Sequence, residues 1–206
     1  MGKETGPTTT EEIYAAPIPG GAEMRAVINQ SVASSGSANP IAAGNQAILT
    51  SKKREILYKN GYTIPGKAVA LLAAEAVSGI EHSAKLGGNI AKDERRKNAN
   101  WKRPTETDAH HVVAAEAIAA DIPRKFMFAV GIGINDRDNG VLLPRYQTTR
   151  IATMPNASPH QHIHTALYYS NVVTEFYRVR DKKDEQQIRT LLKSIARRLQ
   201  NGQFGY

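Results

Sequence analysis

Apolar positions recur at helical spacing in several stretches of the chain. In residues 67–85, Val69, Leu72, Ala73, Ala76, Val77 and Ile80 fall on one face and predict a helix, which Leu86-Gly87-Gly88-Asn89 stops. Residues 114–128 predict a helix interrupted at Pro123, and residues 185–200 another, with Ile188, Leu192, Ile195 and Leu199 on its apolar face and Asn201-Gly202 at its end. Ser158 as N-cap and Pro159 at the first helical position start one more, from about His160 to Arg178. Residues 52–59 (K-K-R-E-I-L-Y-K) also read as helical, with a turn in 61–66. Two stretches read as short strands: the weakly alternating 107–113, and 141–144 after the turn cluster N-D-R-D-N-G at 135–140.

The rest of the chain carries little periodicity. Residues 1–50 are rich in Thr, Ser, Ala, Gly and Pro, and the pieces A-P-I-P-G-G and S-S-G-S-A-N-P are loop chemistry. One short helix near 23–32 is expected there. Residues 92–103 (K-D-E-R-R-K-N-A-N-W-K-R) are charged and end at Pro104, which places a domain boundary there. Residues 1–104 then form an irregular, later helical region, a delivery remnant or docking segment, and residues 105–206 a more ordered one. Trp101 and its basic neighbours suit either a grip on a phosphate backbone or a solvated linker. No internal repeat is visible.

Composition narrows the chemistry. The 206 residues contain no cysteine, so disulfides and cysteine-based zinc sites are excluded, and any metal must be held by His, Asp or Glu. No apolar run approaches the roughly 20 residues of a membrane-spanning helix, so no membrane insertion by this chain is expected. Residues 1–10 are polar and lack the apolar core of a signal peptide; export, if it occurs, takes a route that needs none. The net charge of +8 favours polyanionic partners such as nucleic acid.

Five of the six histidines fall in two clusters: His110-His111, and His160, His162 and His164. On a helix, His160 and His164 would lie one above the other, a spacing that lets two imidazoles reach one cation. A surface helix with spare histidines fits the same pattern. His162 points elsewhere. Neighbours in a regular strand face opposite sides, so His110 and His111 serve one site only where the strand bends or ends. One would complete a three-histidine metal site, and the other could act as a general base. Asp138-Asn139-Gly140 suits a hairpin connector, and its Asn can also bond backbone groups across a loop.

D-A-H-H at 108–111, G-I-N-D-R-D-N-G-V-L-L-P at 133–144 and H-Q-H-I-H-T-A-L-Y at 160–168 together resemble the AHH branch of the HNH/endonuclease VII nucleases, over about residues 105–175. The Asn and H-x-x-x-H arrangement is also similar to colicin-type DNases. The resemblance implies an α+β fold, with a ββα-metal nuclease core, additional helices and a mostly helical N-terminal region. It implies His110, His160 and His164 as metal ligands, His111 as the general base that activates water, and Asn139 as the residue that fixes the hairpin loop. Tyr168, one turn beyond His164, reads as packing in the core or against the site. The segment 112–134 between the motifs is longer than in compact versions of the core.

The function implied is a metal-dependent DNase of little sequence specificity, acting as an antibacterial toxin or secretion-system effector, of type VI for instance. Such a toxin would be injected or secreted without a signal peptide and act in the target-cell cytoplasm. DNA, delivery machinery and a neutralising immunity protein with an acidic surface are the partners expected. Zn2+ or Ni2+ suits three imidazoles, while Mg2+ or Mn2+ would rely on water and phosphate for its remaining ligands. The helix N-terminus near 158–160 would point its N–H groups at the phosphate. Arg189, Lys193 and Arg197, spaced by four with Arg198 beside them, form a basic stripe that suits a DNA backbone or a solvated face. Two other readings stay open: a non-enzymatic DNA-binding module with a structural metal, and a ribonuclease toxin.

Overall fold

A computed structural model describes residues 56–180 and 184–206 of the chain. The irregular reading of residues 1–50, with its short helix at 23–32, and the first part of the 52–59 helix lie outside the described residues. In the described part of that stretch, Tyr58–Lys59 is instead a strand. β1 (Tyr58–Lys59) pairs antiparallel with β2 (Tyr62–Thr63). Asn60 and Gly61 link them with φ of 54° and 93°. Positive φ at both central positions is the mark of a tight primed hairpin turn, for which Asn-Gly is the preferred pair. The turn chemistry overrides the local helical pattern.

The helix expected over 67–85 is two helices. α1 spans Val69–Ala76 and α2 spans His82–Lys97. Between them Ser78 Oγ donates to the Glu75 carbonyl at 2.7 Å, and Gly79 adopts a φ of 65°. α2 runs straight through Gly87-Gly88, the expected stop. Gly87 lies against β3 and its approach: a Cβ there would meet Arg103 Nη1 at 3.1 Å and Ala109 Cβ at 3.4 Å. The charged stretch read as a linker is helical as far as Lys97, and its Asp93 is fully buried between cations. Basic residues in the last turn, Arg95, Arg96 and Lys97, also suit the negative end of the helix dipole. Trp101 packs against the small apolar group of Leu86, Ile90, Ala109 and Leu142.

β3 (Thr107–His111) pairs antiparallel with β4 (Gly140–Pro144), with His110 opposite Val141 and His111 opposite Gly140. Asp138-Asn139-Gly140 is therefore not a tight connector. The link is residues 112–139, which hold a 3-10 turn at Ile118–Ala120, α3 (Asp121–Ala129) and a 3-10 turn at Arg137–Asn139. Pro123 sits in the first turn of α3, where its missing N–H costs no helical bond.

α4 spans Ala166–Arg178 and α5 spans Glu185–Gln200. α4 starts six residues later than expected. Its cap is Thr165, whose Oγ1 accepts from Tyr168 N at 3.1 Å, while His160–His162 form only a 3-10 turn. Among the described residues, five helices and two small sheets make the fold α+β, consistent with an HNH-like core.

The hairpin lies between two layers. Alternation sends Ala109 and Leu142 toward α2, where they join Leu86 and Ile90. Val141 and Leu143 belong to the larger core with Tyr168, Val172 and Phe176 of α4 and Ile188, Leu192 and Ile195 of α5. Gly140 lets α2 approach: a Cβ there would fall 2.6 Å from Leu86 Cδ1. Among the described residues no helix is long and apolar enough to cross a membrane.

Candidate metal centre

β3 brings His110 to the face of the hairpin that meets α4. Residues 160–164, leading into α4, lie over the same place. The result is a three-imidazole group: His110, His160 and His164 each offer a nitrogen, all within 4.8 Å of one another. Ring centroids stand 5.2 Å apart for His110–His160, 5.1 Å for His110–His164 and 5.5 Å for His160–His164. The histidines are not stacked on a helix; the 3-10 turn and the loop before the Thr165 cap bring them together.

The surroundings decide which nitrogen each ring can offer. The Tyr168 hydroxyl donates to the Val112 carbonyl at 2.8 Å, so it must accept from His110 Nε2, 3.0 Å away. His110 therefore carries its proton on Nε2, and its Nδ1 keeps a lone pair. That Nδ1 is buried and has no partner among the described residues. His164 Nδ1 is engaged by the Tyr169 hydroxyl at 3.0 Å, and His160 Nδ1 faces the Asp108 carboxylate at 3.6 Å. This leaves His110 Nδ1, His160 Nε2 and His164 Nε2, with an outer partner on each opposite nitrogen, the usual support of metal-binding imidazoles.

Electrostatics act in the same direction. Burial, then the neighbouring His164, His160 and His111, push the His110 pKa well down. Burial also lowers His160, against the opposing pull of Asp108, and burial with His160 lowers His164. Three imidazoles kept unprotonated, one with an orphaned buried lone pair, fit a divalent cation of the His-binding kind.

His111 is not in this group. It follows Ala109 on the α2 face, as alternation requires, and β3 ends with it. A groove of about 530 Å3 runs around that strand end and is lined by His110, His111, His160, His164, Tyr169 and His82. The two neighbouring histidines thus reach one hollow because the strand stops. His111 Nε2 lies 3.1 Å from Asn135 Oδ1, which can only accept. Burial, opposed by this bond and aided by His82, pushes the His111 pKa down to about 4.

Asn139 is fully buried and sits at the base of the link. Its Oδ1 accepts from Val113 N at 2.8 Å, and its Nδ2 donates to the carbonyls of Val113 at 3.0 Å and Ile134 at 2.8 Å. It holds the residues after His111 to the residues before β4 and touches none of the three clustered imidazoles. A family model matches about half of the chain. The AHH family, a nuclease family of the HNH/ENDO VII superfamily with conserved AHH, matches residues 91–199. The chain belongs to that family. No curated protein and no solved structure matches it.

In this AHH nuclease, Ala109-His110-His111 supplies the signature. Ala109 turns into the α2 contact, His110 into the three-histidine cluster and His111 into the groove. The remaining expected positions separate. Arg189 does not stand free for a phosphate backbone: its side chain is 11% exposed and bonded to Asp136, Asp138 and Glu185. Lys193 is half exposed and 3.4 Å from Asp138, and Arg197 is exposed. Arg198 pairs with Glu175 at 2.6 Å. His162 is exposed and bonds Gln161, outside the cluster. The N–H groups expected at 158–160 are not a helix terminus, because the helix begins at Ala166.

Two functional neighbours, Asn135 and His82, are not marked by the sequence, and a third, Tyr168, does more than its position suggests. Tyr168 is core packing and also fixes the His110 proton. Asn135 sits inside N-D-R-D-N-G, which reads as turn chemistry. His82 is isolated in sequence, so neither spacing nor pairing marked it.

Proposed function

We propose that this AHH nuclease is a metal-dependent endonuclease that hydrolyses DNA phosphodiester bonds with little sequence preference. The observation that carries the reading is the orphaned His110 Nδ1 at the centre of a three-histidine cluster that opens on a groove shared with His111. Structural metal sites are closed by protein ligands, whereas catalytic ones keep an open position. His110, His160 and His164 would hold the ion. A divalent cation there would supply positive charge against the phosphate and its departing oxygen.

The chain's own residues do the rest. Asn135 Oδ1 holds the His111 proton on Nε2, which leaves Nδ1 to take a proton from water in the groove. Burial keeps that ring unprotonated at neutral pH. Asn139 keeps the His111 end of β3 in register with β4, and Tyr168 keeps the His110 ring from turning. None of these groups reads a base edge, which accords with low sequence preference. The antibacterial role, the delivery route into a target-cell cytoplasm and an acidic immunity partner extend the reading on the strength of the motif resemblance and the +8 charge.

The test is cleavage of plasmid and of RNA by the purified chain, with chelator and after return of Zn2+ or Mg2+. DNA cleavage that chelator abolishes and metal restores is expected. His111→Ala should keep metal binding and lose cleavage. Cleavage of RNA alone would move the reading to a ribonuclease. Metal binding with no cleavage of either polymer would leave a structural metal site and end the nuclease reading.

A further inference from the structure

α2 begins without a side-chain cap. Its N-cap residue is Glu81, and no side chain bonds the first-turn N–H groups. Those groups have no acceptor within the helix itself. Ser83 lines the groove that holds His111, and Ser83 and Ala84 line a second hollow of about 520 Å3. The two hollows share Ser83, Ala109 and His160, so they form one trough past the metal cluster.

A second observation points to a ligand independently. His82, the first residue of α2, is 8% exposed, and its Nε2 is buried with no partner among the described residues. The other ring nitrogen is committed. Asn135 Oδ1 lies 3.1 Å from His111 Nε2 and 3.3 Å from His82 Nδ1, and Asn135 Nδ2 gives one hydrogen to Glu75 at 3.2 Å. The second Nδ2 hydrogen finds its acceptor in His82 Nδ1 at 3.1 Å, the shorter of the two contacts, and a proton on Nδ1 would leave that buried hydrogen without a partner. The proton of His82 is therefore on Nε2: a donor, on the ring edge turned away from Asn135, with nothing to give it to. A buried donor of this kind calls for an explanation, and an acceptor brought by a ligand is one. The His82 and His111 rings stand edge to face, centroids 6.2 Å apart, in the wall of the same groove.

We propose that the first turn of α2 is a phosphate-binding site. His82 Nε2–H and the Ser83 and Ala84 N–H groups take the oxygens of one backbone phosphate of the nucleic-acid strand that lies across the His110–His160–His164 cluster. The positive end of the 16-residue α2 adds to the attraction. His82, Ser83 and Ala84 lie outside the residues 91–199 that the family model matches. The proposal rests on the nuclease reading above.

The test uses the full chain, a short labelled DNA duplex and chelator, so that binding is read without cleavage. His82→Ala should weaken binding about tenfold or more, the usual effect of losing a hydrogen bond to a charged group. Since the lost donor is an N–H dipole, the slope of log affinity against log salt should not change. His82→Gln, which keeps an N–H near the Nε2 position, should recover most of the loss. Ser83→Glu should weaken binding too; an acid in the first turn favours the helix, so this variant serves if His82→Ala fails to fold by circular dichroism. Zn2+ affinity should match wild type in all three. If His82→Ala and Ser83→Glu bind the duplex as wild type does, or if they lose Zn2+ as well as DNA, the phosphate site is wrong while the nuclease reading stands. If the wild-type chain itself neither binds nor cleaves the duplex, the nuclease reading fails first and takes this site with it.

Discussion

The Tyr168 hydroxyl accepts the Nε2 proton of His110 across 3.0 Å, because its own proton is given to the Val112 carbonyl. One buried phenol thereby selects which imidazole nitrogen faces the cluster. Tyr168→Phe leaves that N–H and that carbonyl without partners inside the core. The variant should lose roughly 1–3 kcal/mol of stability. It should also bind Zn2+ about 10- to 100-fold more weakly, since the ring is free to turn. Calorimetric titration of the folded variant measures the second effect; an unchanged affinity would show that Tyr168 only packs.

Asn139 makes a different kind of contribution. It holds three backbone groups, Val113 N, Val113 O and Ile134 O, with no solvent to replace it. Asn139→Ala strands all three and should cost about 3 kcal/mol, or roughly 6–12 °C in melting temperature for a domain of this size. Asn139→Asp should be no milder, because a carboxylate would face two carbonyl oxygens. Thermal melts compare them directly. A variant that melts like wild type yet cleaves no DNA would place Asn139 in the chemistry instead of in the scaffold.

The basic stripe on α5 divides by the same reasoning. Arg189 compensates Asp136 and Asp138, which are 0% and 2% exposed. Arg189→Ala strands two buried carboxylates and should destabilise by about 3–5 kcal/mol in urea unfolding. Arg197, exposed on α5, is the residue to test for a backbone contact. Arg197→Ala should leave stability within about 0.5 kcal/mol and lower the salt slope of DNA binding by about 1. An unaltered slope would remove α5 from the nucleic-acid surface.

The sequence made some of this legible and hid the rest for physical reasons. Glu185–Gln200 was readable because its apolar residues repeat at helical spacing, between an acidic start and an Asn-Gly stop. The hairpin and the three clustered histidines were readable because residue type and order carry the chemistry. The helix expected over 160–178 begins instead at Ala166: Ser158-Pro159 looks like a helix start, while the cap that forms is Thr165. Gly87-Gly88 looked like a stop because sequence alone does not show a strand packed against the helix. Tyr168, Asn135 and His82 matter through contacts across 58, 24 and 53 residues, made to His110, to His111 and between His82 and Asn135. No periodicity records such distances.

Asp93 ties α2 to the turn that carries Asn139, and its pH response has a definite sign. Its side chain is fully buried, and it meets Lys97 at 2.5 Å, Arg96 at 3.0 Å and Arg137 at 3.2 Å. Burial alone would raise its pKa, but the bonds from Lys97 and Arg96 outweigh that and hold it at about 2. An unfolded Asp titrates near 3.9. Between those values the unfolded chain binds more protons than the folded one, so stability rises with pH across that window. The contribution is complete above about pH 4 and is lost as pH falls through about 2. Asp93→Asn should therefore be less stable than wild type at pH 7, by on the order of 2 kcal/mol. The two should converge as the pH is lowered from about 4 toward 2. Urea unfolding at stepped pH reads the difference, and a gap that stays constant down to pH 2 would mean that Asp93 acts through packing and not through its charge.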